Sequence, residues 1–158
     1  MAILLQEEGL YERAHLYGTD MSGAALERAR EGIYSQQQAA TFADNYRAAG
    51  GRKRFEDYCA PAYGNVAILD GLKRNVVFFR HNLVADFALG QMHVVFCRNV
   101  LMYFGTELYK RVLDMLTPAI YPGGFLCLGA SERLSQSLRG LFFEPVKGQA
   151  IYQYRPSP

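Results

Sequence analysis

The chain has 158 residues and a formal net charge of +2, with half of its residues hydrophobic and 20% charged. That length suits one domain, the composition excludes wholesale disorder, and the near-neutral charge argues against a nucleic-acid binder built on a basic stripe. No apolar run approaches the ~20 residues needed to cross a bilayer, so no membrane insertion is expected.

Residues 1–14 read as a helix or the end of one, with Ile3, Leu4, Leu5 and Tyr11 apolar. The opening has no basic leader and reads as no secretory signal. HLYGT (15–19) reads as a short strand ending at Asp20. Ser22 is placed to cap a helix over GAALERAREG that stops at Gly32. Residues 35–49 predict a second helix, ended by Gly50-Gly51. Between 52 and 80 there are six basic and three acidic residues, and Pro61, Gly64, Asn65, Asp70 and Gly71 divide short apolar runs. Short antiparallel strands with tight turns are expected there.

VVFFR (76–80) is strand-like, and the continuous apolar run MHVVFC (92–97) predicts a buried strand. FGTELYKRVLDMLTPAIY reads as helix, with Leu108, Val112, Leu113 and Leu116 at helical spacing. Pro122-Gly123-Gly124 predicts a turn, FLCLG (125–129) a further strand, and LFFEPV with AIYQY a hairpin-like ending. Strand–helix alternation followed by such a hairpin implies an α/β sheet with helices on its faces.

In open α/β sheets ligands sit beyond the C-terminal ends of the strands. Three such ends carry suitable groups. Asp20 can accept hydrogen bonds from both hydroxyls of a ribose, or can simply cap the following helix. Asn82 can bond an adenine edge, or be an ordinary turn residue. Arg98-Asn99 closes the strand MHVVFC, where buried polar groups without partners cost ~1–3 kcal/mol each; Arg98 can also do no more than pair with a carboxylate. His15, His81 and His93 are scattered, so no metal site is expected. Cys59, Cys97 and Cys127 form no CxxC and cannot all pair internally, which points to free thiols in a reducing, cytoplasmic setting. Met21, Met92, Met102 and Met115 read by themselves as packing residues.

GTDMSGAALERAREGIYS, FFRHNL, CRNVLMYF and PGGFLCLGASERL follow one another in this order. Together they resemble the catalytic domain of the CheR-type chemotaxis methyltransferases, over about residues 1–154, with CRNVLMYF the most specific element. The resemblance implies a Rossmann-like class I methyltransferase sheet with S-adenosylmethionine as cofactor and glutamate side chains of chemotaxis receptors as substrate. It places Asp20 on the ribose, with Met21 beside it, Asn82 and Leu83 near the adenine, and Arg98, Asn99 and Val100 beside the cofactor. Tyr103 matches the aromatic residue near methyl transfer and is the catalytic candidate. The segment 52–75 resembles a small inserted antiparallel β-subdomain that would dock receptor helices or a receptor tail peptide. The whole chain, 1–158, would be one partial domain.

Two departures accompany the match. No Gly-x-Gly-x-x-Gly occurs, and counting ~20 positions back from Asp20 puts that loop at or before Met1. The expectation is a sheet lacking its first strand and glycine loop, with two neighbouring strands left with bare edges and activity of this chain alone impaired. Ala130 stands where the family often has His, while Gly129, Ser131 and Glu132 remain. The alternative is a non-catalytic receptor- or peptide-binding module derived from such an enzyme.

Overall fold

In the computed structural model, which describes residues 1–156, the chain divides into two units, Met1–Asn82 and the residues from Leu83 onward. The first unit opens with α1 (Ala2–Glu7) and a 3-10 turn at Tyr11–Arg13. Gly9, at φ 68°, separates them, so residues 1–14 form two short pieces. β1 (Leu16–Asp20) leads into α2 (Gly23–Glu31), where the Ser22 hydroxyl accepts the Ala25 N–H and Gly32 ends the helix in the left-handed conformation. β2 (Ile33–Tyr34) and α3 (Gln36–Ala48) follow. Ser35 and Gln38 form a reciprocal capping box that satisfies two backbone donors at the start of α3.

β3 (Cys59–Ala62), β4 (Asn65–Ile68) and β5 (Val76–Arg80) complete this unit. β1 and β5 are parallel, with Leu16 opposite Val76 and Asp20 opposite Arg80. β2, β4 and β3 form a separate antiparallel sheet in that order, so its first edge strand lies outside 52–75. α3 covers it through Ala39, Ala43 and Phe42, against Phe55, Val66 and Ile68. Glu7 ties α1 to this region by accepting the hydroxyls of Tyr46 and Tyr58 and the N–H of Arg52. The Tyr46 hydroxyl is the main reason its carboxyl lies below the usual value.

Arg52, Arg54, Lys73 and Arg74 each pair with a carboxylate, on Glu8, Asp57, Asp70 and Glu12. The basic excess of 52–80 is therefore largely balanced locally, which weakens its reach toward distant acidic groups.

The second unit contains β6 (Met92–Cys97), α4 (Thr106–Leu116), β7 (Ile120–Leu128), β8 (Phe142–Phe143) and β9 (Ile151–Tyr154). The sheet order is β6-β7-β9-β8, parallel between β6 and β7 and antiparallel beyond. Its core joins Cys97, Val112, Leu113, Leu116, Leu126 and Leu128.

Three sequence expectations are corrected here. β6 is not buried throughout: Val94 and Phe96 are 43% and 55% exposed. β6 is an edge strand of this sheet, and only the face bearing Val95 and Cys97 meets the core. Leu108 is exposed; Tyr109 takes its place on the inner stripe with Val112, Leu113 and Leu116, since spacing alone leaves a neighbouring residue free to fill the position. Pro122-Gly123-Gly124 is not a turn between elements but a bulge inside β7. Met92 pairs with Ile120 and Val94 with Phe125, so the extra residues loop out while the strand keeps its direction. Gly123, at φ 86°, permits this, and a Cβ on Gly124 would lie 2.8 Å from the His93 carbonyl.

Candidate functional site

Parallel pairing brings Asp20 and the residues after Arg80 to one end of the β1–β5 sheet. Asp20 is exposed. Its Oδ1 accepts the Ser22 N–H at 2.7 Å, and its carbonyl accepts the His81 N–H at 3.2 Å. The helix cap is Ser22, whose Oγ accepts the Ala25 N–H at 3.3 Å. Asp20 thus orients the capping residue rather than replacing it, and its side chain is exposed. Met21 is 47% exposed, more than a packing residue would be. Asn82 is half-buried at the same strand end.

The remaining candidates lie in the second unit. Leu83 packs, partly buried, against its core. Arg98 and Asn99 are exposed and Val100 is half-buried. Asn99 has φ 58°, a left-handed backbone that asparagine tolerates better than most residues. A 3-10 turn at Leu101–Tyr103 then buries Leu101 completely and leaves Tyr103 79% exposed. Tyr103 is therefore not a core residue, and its hydroxyl faces solvent.

The residue that reading the sequence left without a role is Glu132, 4% exposed. Its Oε2 accepts the N–H groups of Gly129 at 2.6 Å and Asn99 at 3.0 Å. Its Oε1 accepts the Met102 N–H at 3.1 Å. Burial raises this carboxyl's pKa, but the N–H groups of Gly129, Asn99, Met102 and Leu101 outweigh that and hold it below its ordinary 4.5. The carboxylate so joins the C-terminal end of β7 to the turn after β6. A Cβ on Gly129 would lie 2.4 Å from Asn99 Oδ1 and 2.7 Å from Glu132 Oε2, so only glycine fits there without displacement. The available signal was a glutamate between two apolar residues, Leu128 and Leu134, shortly after a strand.

Neighbouring chemistry is quiet. Burial, with the Glu132 charge adding, pushes the Cys97 thiol up to about 11, and burial also raises Cys127 and Cys59. These thiols stay protonated near neutral pH and supply no thiolate nucleophile. Among the described residues no group of three or more His, Cys, Asp or Glu could hold a metal ion, and no helix is long and apolar enough to cross a membrane. Two shallow concavities of about 320 and 310 Å³ are lined by Tyr46, Arg47 and Lys53 and by His93, Tyr121 and Pro122 respectively; neither includes a candidate residue.

Known proteins match this chain along most of its length. It is 44% identical over 154 residues to Cher3 of Pseudomonas putida, covering 97% of this chain and 56% of that protein. It is 36% identical to the chemotaxis protein methyltransferase of Vibrio parahaemolyticus, covering 82% of this chain and 46% of that protein. It is also 36% identical to chemotaxis protein methyltransferase 1 of Vibrio cholerae, over 80% of this chain and 44% of the relative. The chain spans about half the length of these relatives. An O-methyltransferase family protein from Burkholderia thailandensis superposes with a TM-score of 0.42 and 19% identity, over 55% of this chain and 38% of that one. The profile of the CheR methyltransferase, SAM binding domain, matches residues 1–149, and the chain belongs to that family.

Proposed function

We propose that this chain forms the adenosyl-binding part of a methyltransferase that acts on glutamate side chains of chemotaxis receptors, with S-adenosylmethionine as methyl donor. The observation that carries this reading is common to three positions: Asp20, Asn82 and Arg98-Asn99 each lie at or just beyond the C-terminal end of a parallel strand, where α/β folds place ligands. Each candidate has chemistry that suits part of an adenosyl group. In the first unit the proposed contacts are the exposed Asp20 carboxylate for ribose hydroxyls, Met21 beside it and the Asn82 amide for adenine; in the second they are the apolar Leu83 for adenine and Arg98, Asn99 and Val100. The finer architecture proposed is one Rossmann-like domain over 1–158 with an antiparallel β-subdomain around 52–75. The parallel β1–β5 and β6–β7 pairs and the three-stranded β2-β4-β3 sheet support it.

When bound, S-adenosylmethionine supplies an electrophilic methyl group on a sulfonium. A glutamate substrate, with a reference pKa of ~4.3, is already ionised at neutral pH, so this chain needs no general base. Its task is to orient the reactants and exclude water. In this reading Tyr103, which is exposed, donates a hydrogen bond to a substrate carboxylate. The segment 52–75 is the proposed docking surface for receptor helices or a tail peptide. Because four of its own basic residues are already ion-paired, that docking would rest on backbone pairing along a sheet edge more than on charge.

The test is transfer of a labelled methyl group to receptor-containing membranes. It is run on this chain and on a form extended with the sequence encoded upstream of Met1. Transfer supports the reading. Binding of S-adenosylhomocysteine without transfer in either form identifies a non-catalytic module instead, and neither binding nor transfer overturns both.

A further inference from the structure

We propose that Glu132 is a positioning residue for the cofactor: its buried carboxylate locks the turn that carries Arg98, Asn99 and Val100, and so sets affinity for an adenosyl ligand without touching it. This rests on the function proposed above.

Two parallel strands end side by side here, and the polar groups beyond them have no strand to hold them. Glu132 supplies the missing constraint. One oxygen receives the N–H of Gly129 at the end of β7 and the N–H of Asn99 beyond β6; the other receives the N–H of Met102. The chain between these anchors contains Asn99 at φ 58°, a backbone that non-glycine residues leave unless the surroundings hold it. The Asn99 side-chain oxygen lies 2.4 Å from where a Cβ on Gly129 would be, so the turn packs closely against the end of β7. A buried carboxylate is costly unless hydrogen-bonded, and here it accepts from backbone groups of this turn and the adjoining strand end. The apolar anchoring of the same turn comes separately, from the fully buried Leu101. Glu132 thus orients the turn while Leu101 seats it.

Glu132→Gln tests the idea, because it keeps the shape and removes one acceptor. Its single oxygen serves either Asn99 and Gly129 or Met102, and its NH2 group then opposes a backbone donor on the other side. S-adenosylhomocysteine binding is measured by calorimetry in the full chain, in whichever of the two forms above binds the wild-type ligand. Amide hydrogen exchange is followed in the same samples. The expected result is a rise in Kd of about tenfold or more, equivalent to about 1.4 kcal/mol. Faster exchange should appear at Asn99, Gly129 or Met102, with Leu126 and Cys127 in mid-strand unchanged. Glu132→Asp, which retains the charge, should recover part of the affinity, and it replaces the Gln variant if that fails to fold. A folded variant that binds within about twofold of wild type overturns this proposal alone. Unaltered exchange at all three turn amides overturns it too. Absence of wild-type binding in either form overturns the cofactor reading and this proposal together.

Discussion

The two strand ends that carry the candidate residues are built differently. At the end of β1 the acidic group, Asp20, is exposed and accepts one neighbouring N–H, from Ser22; after β7 the acidic group, Glu132, is buried and gathers N–H groups from Gly129, Asn99 and Met102. In the first case the carboxylate is exposed and available to a ligand. In the second it is consumed in holding the backbone, and the proposed ligand-facing groups are its neighbours. Carboxylates near the C-terminal ends of parallel strands can therefore differ in how far their hydrogen-bonding capacity is already used, and burial tells them apart.

This contrast predicts a graded set of effects. The largest is Glu132→Leu, which strands several buried backbone donors. It should cost about 3–5 kcal/mol in urea denaturation followed by tyrosine fluorescence, since each unsatisfied group costs ~1–3 kcal/mol. Acid should reproduce part of this loss. The Glu132 carboxyl is held below its ordinary 4.5, so its stabilisation is complete above that value and disappears as pH falls through the lowered folded value. Glu7 has the same sign, and comparing denaturation midpoints of Glu132→Gln and Glu7→Gln from pH 6 downward (roughly the carboxylate range) separates the two. Either variant should flatten the acid limb; a wild-type slope in Glu132→Gln would assign the acid response elsewhere.

Next comes Gly129→Ala, whose Cβ would meet Asn99 Oδ1 and Glu132 Oε2. Overpacking of this kind costs about 1–3 kcal/mol, read as a lowered urea midpoint. Ser22→Ala removes a helix cap and should cost about 1 kcal/mol by the same measurement. Asp20→Ala should have the least effect on stability, under about 1 kcal/mol, because it loses one exposed hydrogen bond. It should nevertheless weaken S-adenosylhomocysteine binding at least about tenfold. Unchanged affinity would remove Asp20 from the ribose.

What could be read from the sequence followed from local rules. The ends of α2 come from Ser22 and Gly32, whose chemistry needs no distant partner. The β1, β5 and β6 segments show in their apolar runs. What escaped depended on distant partners. MHVVFC is apolar throughout, yet whether both faces are covered depends on its place in the sheet. Pro122-Gly123-Gly124 carries turn chemistry, and only pairing with β6 makes it a bulge. GASERL looks like a polar surface turn, because nothing local reveals that Glu132 points inward to amides some thirty positions earlier. Asp20 and the RNV segment became candidates because motif order marks them; the group that holds the RNV segment in place belongs to a different part of the chain.

The separation of Asn99 and Glu132 by 33 positions also bears on how this protein assembles. α4 and all of β7 lie between them. A ribosome releasing the chain from its N-terminus delivers the asparagine turn well before its anchor, and closing a loop of that length carries an entropic cost that short-range contacts do not. The hydrogen bonds from Asn99 and Met102 to Glu132 can therefore form only after the helix and strand between them have been synthesised.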